Sequence, residues 1–173
     1  IFPGSIIGLS SLIRNKGCEE VISSTELIAL SIPDDAILKL YEKESSFKNY
    51  CDKNLFKNEI IGLLDILITK SNRNDIDIKK SFSTLIKYSA KNLIIENKLS
   101  NLNQELIHIL ASNNVKDKVL GDLINEREVI QASKPFEARV ISLPRNLYKL
   151  FIDSKSINSE DANLNYNLEN NSE

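Results

Sequence analysis

The residues best suited to binding chemistry stand near the start of the chain, where glycines, a serine and an arginine follow one another. Gly4 and Gly8 lie four positions apart, Ser10 follows, and Arg14 comes four positions later. Glycine lets backbone amides approach a ligand closely, and a guanidinium pairs well with an anion. Backbone amides near Gly8 and the guanidinium of Arg14 are therefore groups that can hold a small anionic ligand.

The other nucleophilic and metal-binding side chains are too few to form a recognisable catalytic or metal site. The chain has one histidine, His108, and two cysteines, Cys18 and Cys51. A three-histidine zinc site is therefore impossible, and the cysteines lack the close spacing of a structural zinc site. Neither a GxxxxGK[ST] phosphate loop nor a GxGxxG turn occurs. We predict two free thiols, no metal and no enzymatic activity; the alternative is a nucleophile pair of Cys51 and His108.

Composition describes a chain that can bury a core made mainly of Ile and Leu. Of 173 residues, 42% are hydrophobic, 6% are aromatic and none is Trp or Met. Because Met is absent, we interpret Ile1 as the start of a fragment, and the frequent Ile, Lys and Asn indicate a bacterial gene. Residues 153–173 lack apolar clusters and are predicted to be a disordered tail or linker.

Charge and hydropathy limit the partners and the location. The net charge of −2 gives no positive field of the kind that nucleic-acid binding needs, so no nucleic-acid partner is expected. No apolar run reaches about 18 residues and no signal peptide is visible, so no membrane insertion is expected. We predict a cytoplasmic location, which includes the cytoplasmic part of an inner-membrane protein.

Periodicity predicts an α+β fold that begins with strands. Short apolar runs over residues 5–13, 21–23 and 26–32 are typical of strands, and the last run is apolar on both faces. Pro33 and the two aspartates after it predict the start of a helix, since carboxylates suit the positive end of the helix dipole.

A helical region is predicted over residues 54–104, after a short helix over 45–53. Apolar residues at helical spacing indicate one helix over 54–70 and a second over 77–96. Lys91 belongs to the polar stripe of this second helix, which we predict to be a solvated face.

Residues 105–152 form a predicted small strand-rich segment with a terminal helix. Apolar runs over 106–110 and 136–144 predict two strands, and residues 145–151 predict a short helix. The second strand ends in a proline and continues into a helix, as residues 26–32 do, which is a weak suggestion of an internal repeat.

The first forty or so residues resemble the closing half of a cyclic-nucleotide-binding β-roll and the helix that follows it. In that family a motif of the form Gly-Glu-x-x-Gly-Glu-x-x-Leu precedes an Arg-x-Ala segment. The two glycines of the opening stretch and Leu12 stand at matching positions, and residues 25–33 resemble the last strand of the roll and its exit. The resemblance implies a partial β-roll with its exit helices over residues 1–53.

The residues that grip a nucleotide in that family are missing here. Ser5 stands in place of the first glutamate, and Leu9 in place of the glutamate that binds the ribose hydroxyl. Residues 15–20 replace Arg-x-Ala, and their Glu19-Glu20 pair would repel a phosphate. A leucine cannot accept from a hydroxyl, which leaves that group unpaired at about 1–3 kcal/mol. The resemblance therefore implies a degenerate pocket with no cofactor, and a bound cyclic nucleotide is disfavoured. The residues that the resemblance places at this pocket are Gly4, Gly8, Leu9, Ser10 and Arg14.

A second resemblance concerns the layout of the chain. A degenerate cyclic-nucleotide-binding-like region, a helical stretch and a polar linker look like the cytoplasmic N-terminal portion of some cyanobacterial peptide exporters, which are ATP-binding-cassette transporters. The strand ending over residues 140–144 is similar to strands of that region. Neither a peptidase motif nor an ATPase motif is present, so those activities are not expected of this chain.

Three functional hypotheses follow. The first is a non-enzymatic regulatory or sensory module that contacts neighbouring domains of its parent protein and transmits their state through the helices after Pro33. The second is a roll that still binds a small anionic ligand with amides near Gly8 and with Arg14. The third is a cytoplasmic accessory domain of a bacterial peptide exporter.

Overall fold

The computed structural model describes residues 4–17, 20–72, 75–99, 103, 105–125 and 128–152. Helices and strands are both present in these ranges, so the predicted α+β class is confirmed. The elements are α1 (Leu9–Arg14), α2 (Asp34–Lys43), α3 (Ser45–Lys53), α4 (Lys57–Ser71), α5 (Ile78–Tyr88), β1 (Ala90–Ile95), β2 (Lys98–Leu99), β3 (Leu106–Leu110), β4 (Ala138–Pro144) and α6 (Arg145–Ile152).

The four strands form one antiparallel sheet in the order β2-β1-β4-β3. Strand β4 lies between β1 and β3, and its residues 138–143 are all buried. Alternation along the strands gives the sheet two apolar faces. Ile109, Ile141 and Leu143 pack with helices α4 and α6, whereas Leu110 and Val140 pack with residues of the long β3–β4 connection.

A separate apolar cluster joins the first three helices to the end of the β3–β4 connection. Leu9 and Ile13 of α1, Tyr41 of α2 and Cys51 of α3 surround Phe136. The rings of Tyr41 and Phe136 meet edge to face with centroids 4.6 Å apart, which is a favourable aromatic geometry. Helices α1–α3 therefore pack on the end of the β3–β4 connection, just before strand β4 begins.

The predicted strands of the first part of the chain are wrong for the described residues. Residues 9–14 form α1, because Leu9 and Ile13 lie one helical turn apart and both reach the cluster around Phe136. Residues 20–33 contain no strand, since a strand needs a neighbour for its backbone groups and none of the described residues supplies one. Cys18 and Glu19 lie outside the described residues.

The single predicted helix over 77–96 is also wrong. Helix α5 ends at Tyr88 and β1 begins two residues later. Leu93 and Ile94 pair with Arg139 and Ala138 of β4, so pairing across the sheet outweighs the helical spacing of the apolar residues. Strand β1 therefore lies within residues 54–104, the range of the predicted helical region.

The remaining predicted elements are confirmed within three residues at each end. They are the helices over 45–53, 54–70 and 145–151, the strands over 106–110 and 136–144, and the helix after Pro33. Each combines a clear apolar period with a proline or polar boundary, which is why local sequence sufficed. The predicted tail, residues 153–173, lies outside the described residues.

Gly121 occupies a turn that other residues fit poorly. Its φ is +85°, and a Cβ there would lie 2.4 Å from Cγ2 of Ile66. We expect Gly121→Ala to lower the free energy of unfolding by about 1–3 kcal/mol, through backbone strain and the clash with α4. Gly17→Ala is the matched control, because nothing lies near a Cβ at Gly17. Urea denaturation of both variants measures the difference, and equal losses would contradict the role given to this turn.

Candidate functional site

The polar group with the most hydrogen bonds in the described chain is the guanidinium of Arg139, the second residue of strand β4. The side chain is only 2% exposed and lies on the helix-facing side of the sheet. Its Nε and Nη2 donate to the two carboxylate oxygens of Glu59, Nη1 donates to the carbonyl of Cys51 at 2.8 Å, and Nη2 also donates to the carbonyl of Asn54 at 2.6 Å. We call these four residues the Arg139 centre.

Glu59 completes the Arg139 centre from the first turn of helix α4. Its carboxylate is fully buried and also accepts from the backbone N–H of Phe56 at 2.8 Å. An acid in the first turn of a helix is stabilised by the free amides there, and a bidentate arginine satisfies the rest of its charge. The centre therefore fixes the end of α3 and the start of α4 to the central strand.

A second polar group lies beside the Arg139 centre, between α2 and α3. The hydroxyl of Tyr41 donates to Asp52 at 2.7 Å and accepts from Lys48 at 2.8 Å, and Lys48 pairs with Asp52 at 3.0 Å. Burial, with a contribution from Asp52, raises the pKa of Tyr41 to about 12. Burial alone would lower the pKa of Lys48, but its bonds to Tyr41 and Asp52 outweigh that effect and raise it. These bonds tie α2 to α3.

The structure does not bring Cys51 and His108 together as a nucleophile pair. Burial, followed by the negative charge of Asp52, raises the pKa of the Cys51 thiol to about 11, which keeps it protonated and a poor nucleophile at neutral pH. His108 lies in register with Ser142, on the sheet face opposite the one that carries Arg139. The side chains of the predicted pair thus belong to different sides of the sheet.

His108 instead belongs to a buried polar cluster that sequence reasoning missed. Its Nδ1 lies 2.7 Å from Oγ of Ser142, and the amide of Asn92 donates to the same Oγ at 2.6 Å. All three side chains are buried, and Ser142 has no exposed surface. A serine–histidine contact is the geometry of a nucleophile and its base, but here burial closes it to a substrate. The cluster joins strands β1, β3 and β4.

Lys91 does not lie on a solvated helix face as predicted. It lies on β1, on the helix-facing side of the sheet and diagonal to Arg139, because it pairs with Ile141 and its neighbour Leu93 pairs with Arg139. Its side chain is half-buried. Burial, followed by the positive charge of Arg139, lowers the pKa of Lys91 to about 8. A helix over residues 77–96 would place Lys91 on its polar stripe, so the helical pattern does not indicate this half-buried position on a strand.

The residues predicted to bind an anion are divided between two environments. Leu9, Ser10 and Arg14 are buried on the core side of α1, whereas Gly4 is exposed and Gly8 precedes the helix with a φ of +83°. A single surface that presents all five to one ligand is therefore not formed among them. The prediction that they bind an anion stays a prediction.

Arg14 makes its polar contacts inside the protein. Its Nε donates to the carbonyl of Ala111 at 2.7 Å, and Nη1 reaches the carbonyl of Asn58 at 3.4 Å. Its guanidinium lies so close to Gly62 that a Cβ there would be 3.1 Å from Nη2. The nearby guanidinium of Arg14 thus accounts for a glycine in the middle of α4, where a larger residue would crowd it. Arg14 thus fastens α1 to α4 and to the start of the β3–β4 connection.

An open cavity of about 410 Å³ lies on the outer side of α1. Gly8 is the only predicted binding residue in its lining. Lys16 and Asp34 supply one positive and one negative charge. The lining residues are Gly8, Ser11, Leu12, Asn15, Lys16, Gly17 and Asp34.

Among the described residues, the three most exposed large hydrophobic side chains lie within residues 20–33, which we call the apolar segment. Ile22 is 83% exposed, Ile28 is 95% exposed and Leu30 is 86% exposed. Leu27 and Ile32 are also more than half exposed. Contiguous exposed apolar side chains of this kind mark interaction sites in soluble proteins. The segment runs directly into α2, whose first residue follows Pro33.

Comparison with known proteins gives no assignment. No family model, no curated protein and no solved structure matches the chain. Among the described residues, no three His, Cys, Asp or Glu side chains are grouped so as to hold a metal ion. In that same part of the chain, every helix is too short or too polar to cross a bilayer.

Proposed function

We propose that the chain is a non-enzymatic regulatory module that acts by contact with a protein partner, for which a neighbouring domain of the same polypeptide is the candidate. The observation that carries this proposal is the apolar segment, in which three aliphatic side chains are more than four-fifths exposed. Exposing so much apolar surface is unfavourable in water, so a partner that covers it gains free energy.

A continuous set of contacts supports transmission from the apolar segment to the sheet. The segment continues through Pro33 into α2, where Tyr41 packs on Phe136 and bonds to Asp52 of α3. The end of α3 then bonds through its carbonyls to Arg139 of the central strand. A partner that moves the segment therefore displaces α2 and α3, and their displacement changes the hydrogen bonds of the Arg139 centre.

The chemistry of the polar groups also favours a module over an enzyme. Arg139 and Glu59 are bonded to each other and to backbone groups, and Lys48 and Asp52 are bonded to each other and to Tyr41. Charged groups that neutralise one another in this way serve to hold helices together. A catalytic group must instead present a lone pair or a proton to a substrate.

Residues 26–32 are the candidate closing strand of a β-roll. Residues 26–32 followed by Pro33 and α2 keep the order of a closing strand and exit helix, and we propose that they take up that arrangement when strands of a partner lie beside them.

The runner-up function is binding of a small anion near Gly8, which the cavity outside α1 supports. A role as the accessory domain of a peptide exporter is compatible with the same contacts.

Thiol labelling of Cys51 tests the transmission. In a Cys18→Ser background Cys51 is the only cysteine, and it is buried in the cluster around Phe136 with residues of α1 and α2. We expect it to react through a local opening whose free energy lies at least about 2 kcal/mol below global unfolding, since segments that move belong to the low-stability part of a protein. Tyr41→Phe should raise the labelling rate about tenfold, because it removes one pair of hydrogen bonds.

Tyr148→Phe is the matched control for the labelling experiment. Tyr148 lies on α6 and is partly buried against the helix-facing core, whereas Tyr41 belongs to the separate cluster around Phe136. We expect its labelling rate to stay within a factor of two of the unchanged protein. If Cys51 reacts only through global unfolding in every variant, α2 and α3 are rigidly part of the core and the proposed transmission is wrong.

A further inference from the structure

Lys91 of strand β1 is a half-buried lysine on the helix-facing side of the sheet. Directly paired residues of an antiparallel sheet carry their side chains on the same face, so Lys91 shares a face with its partner Ile141 and lies diagonal to Arg139. Long side chains reach their diagonal neighbours. The amine of Lys91 interacts electrostatically with Arg139 of β4, Asp52 of α3 and Glu59 of α4, so it lies beside the Arg139 centre.

The two carboxylates near the amine of Lys91 are paired with other cations. Glu59 pairs with Arg139 at 2.5 Å and Asp52 pairs with Lys48 at 3.0 Å. Within the described part of the chain, Nζ of Lys91 has neither a hydrogen-bond acceptor nor an ion-pair partner. A charge that is removed from water without a partner is unfavourable, so the neutral amine is favoured. Burial, followed by the positive charge of Arg139, accordingly lowers the pKa of Lys91 to about 8.

The edge of the sheet gives a small molecule access to Lys91. Strand β2 pairs with β1 only at Ile94 and Ile95, so no described strand lies beside Lys91 on that edge. Among the described residues, Nζ of Lys91 is not one of the fully buried polar atoms without a hydrogen bond, so it keeps some contact with solvent. A reagent of a few atoms can therefore reach the amine, whereas a bulky reagent is hindered by the helix layer.

We propose that Lys91 is a modification site that accepts a small acyl group from an activated donor, an acyl phosphate or an acyl thioester. The neutral nitrogen forms a bond to the carbonyl carbon of the donor. The bond from that carbon to the phosphate oxygen or the thiol sulfur breaks, the leaving group keeps the electron pair, and the nitrogen loses its proton to water. The amide is uncharged, so acylation removes a positive charge beside Arg139. This site does not depend on what covers the apolar segment.

Acylation of the folded full chain, followed by peptide mass spectrometry, tests the site. The protein is treated at pH 7 with a limiting amount of acetyl phosphate and, in a separate arm, with a small acetyl thioester. At this pH about one Lys91 amine in ten is neutral, against about one in 2,500 for an ordinary lysine. Lower basicity and partial burial reduce that advantage. We expect Lys91 to be acetylated at least about fivefold faster than the exposed Lys98 by one or both reagents, and the faster reagent identifies the donor class.

The pH dependence of acetylation distinguishes an activated amine from one that is merely exposed. Only the neutral amine reacts, so the rate at Lys91 should rise about tenfold per pH unit below pH 7 and level off above about pH 8. The rate at Lys98 should continue to rise through pH 9.5. A rate at Lys91 that is equal to or lower than that at Lys98 at pH 7 would overturn the proposal. A rate at Lys91 that keeps rising through pH 9.5 would overturn it as well.

Variants at position 91 test whether loss of the charge affects the Arg139 centre. Lys91→Gln resembles the acetylated side chain, whereas Lys91→Arg keeps a positive charge. We expect the glutamine variant to unfold at a higher urea concentration than the arginine variant, because it places no second cation beside Arg139. Lys98→Gln and Lys98→Arg are the matched control pair on β2 and should unfold at the same concentration as each other. A midpoint for Lys91→Gln no higher than that for Lys91→Arg would show that acylation of Lys91 does not act on the Arg139 centre.

Discussion

Glu59→Ala is expected to lower the free energy of unfolding by about 3–5 kcal/mol, the usual loss when one member of a buried ion pair is removed. The carboxylate has no exposed surface and Arg139 is 2% exposed, so water cannot replace the missing charge. The guanidinium would keep only the carbonyls of Cys51 and Asn54 as acceptors. The backbone N–H of Phe56 would lose its acceptor as well.

Chemical denaturation followed by circular dichroism measures this loss. Glu42→Ala is the matched control, because Glu42 is an exposed glutamate on α2, and its change should stay within about 0.5 kcal/mol. Arg139→Lys should also be strongly destabilising, since an ammonium cannot reproduce a planar fork with several fixed donors. A loss for Glu59→Ala no greater than that for Glu42→Ala would show that the Arg139 centre does not hold the helices to the sheet.

Substituting Arg139 and Glu59 together separates the interaction free energy of this ion pair from the penalty of leaving one charge buried and unpaired. In an Arg139→Met, Glu59→Leu double variant no charge is left buried in the Arg139 centre, so part of the loss in each of the single variants Arg139→Met and Glu59→Leu should be recovered. Full recovery is not expected, because the carbonyls of Cys51 and Asn54 and the amide of Phe56 then lack partners. The coupling energy from this cycle should be the largest for any side-chain pair in the described chain.

The sequence identified the elements whose local pattern agrees with their final packing. Helix α3 and strand β3 match their predicted bounds because an apolar period and polar boundaries coincide there. The strand β1 was missed because Leu93 and Ile94 also fit a helical stripe, and only β4, more than forty residues later, decides between the two. Residues 26–32 have strand character but no strand neighbour, so local preference alone did not produce a strand.

The candidate site was harder to predict because its partners are far apart in the chain. Arg139 and Glu59 are separated by 80 positions. A signal was nevertheless present: Arg139 interrupts an apolar run that is predicted to form a strand, and an arginine that is buried requires an acid. The sequence did not indicate which of its acidic residues pairs with Arg139. The choice of Glu59 follows from the position of α4 on the sheet, which is a property of the whole fold.

Arg14→Ala is expected to lower the free energy of unfolding by about 3–5 kcal/mol, from an unpaired carbonyl and the space left by a buried side chain. The hypothesis from the sequence is that Arg14 binds a small anionic ligand. In the fold its Nε instead donates to the carbonyl of Ala111 and its guanidinium packs on Gly62. Lys16→Ala is the control, because Lys16 is exposed and lines the cavity outside α1. Its stability should change by less than about 0.5 kcal/mol.

Calorimetry with cyclic AMP and cyclic GMP decides between the two roles of Arg14. If Arg14 is structural, the unchanged protein binds neither nucleotide at micromolar concentration, and the effect of Arg14→Ala is on stability alone. If the anion hypothesis is right, the unchanged protein binds, and Lys16→Ala weakens binding without loss of stability, since Lys16 is the only cation in the cavity lining. Because Lys16→Ala leaves the fold intact, this comparison works even if Arg14→Ala does not fold. Arg14 points into the protein and donates to two backbone carbonyls, which favours the structural role. In that role Arg14 holds α1 against α4 and the start of the β3–β4 connection.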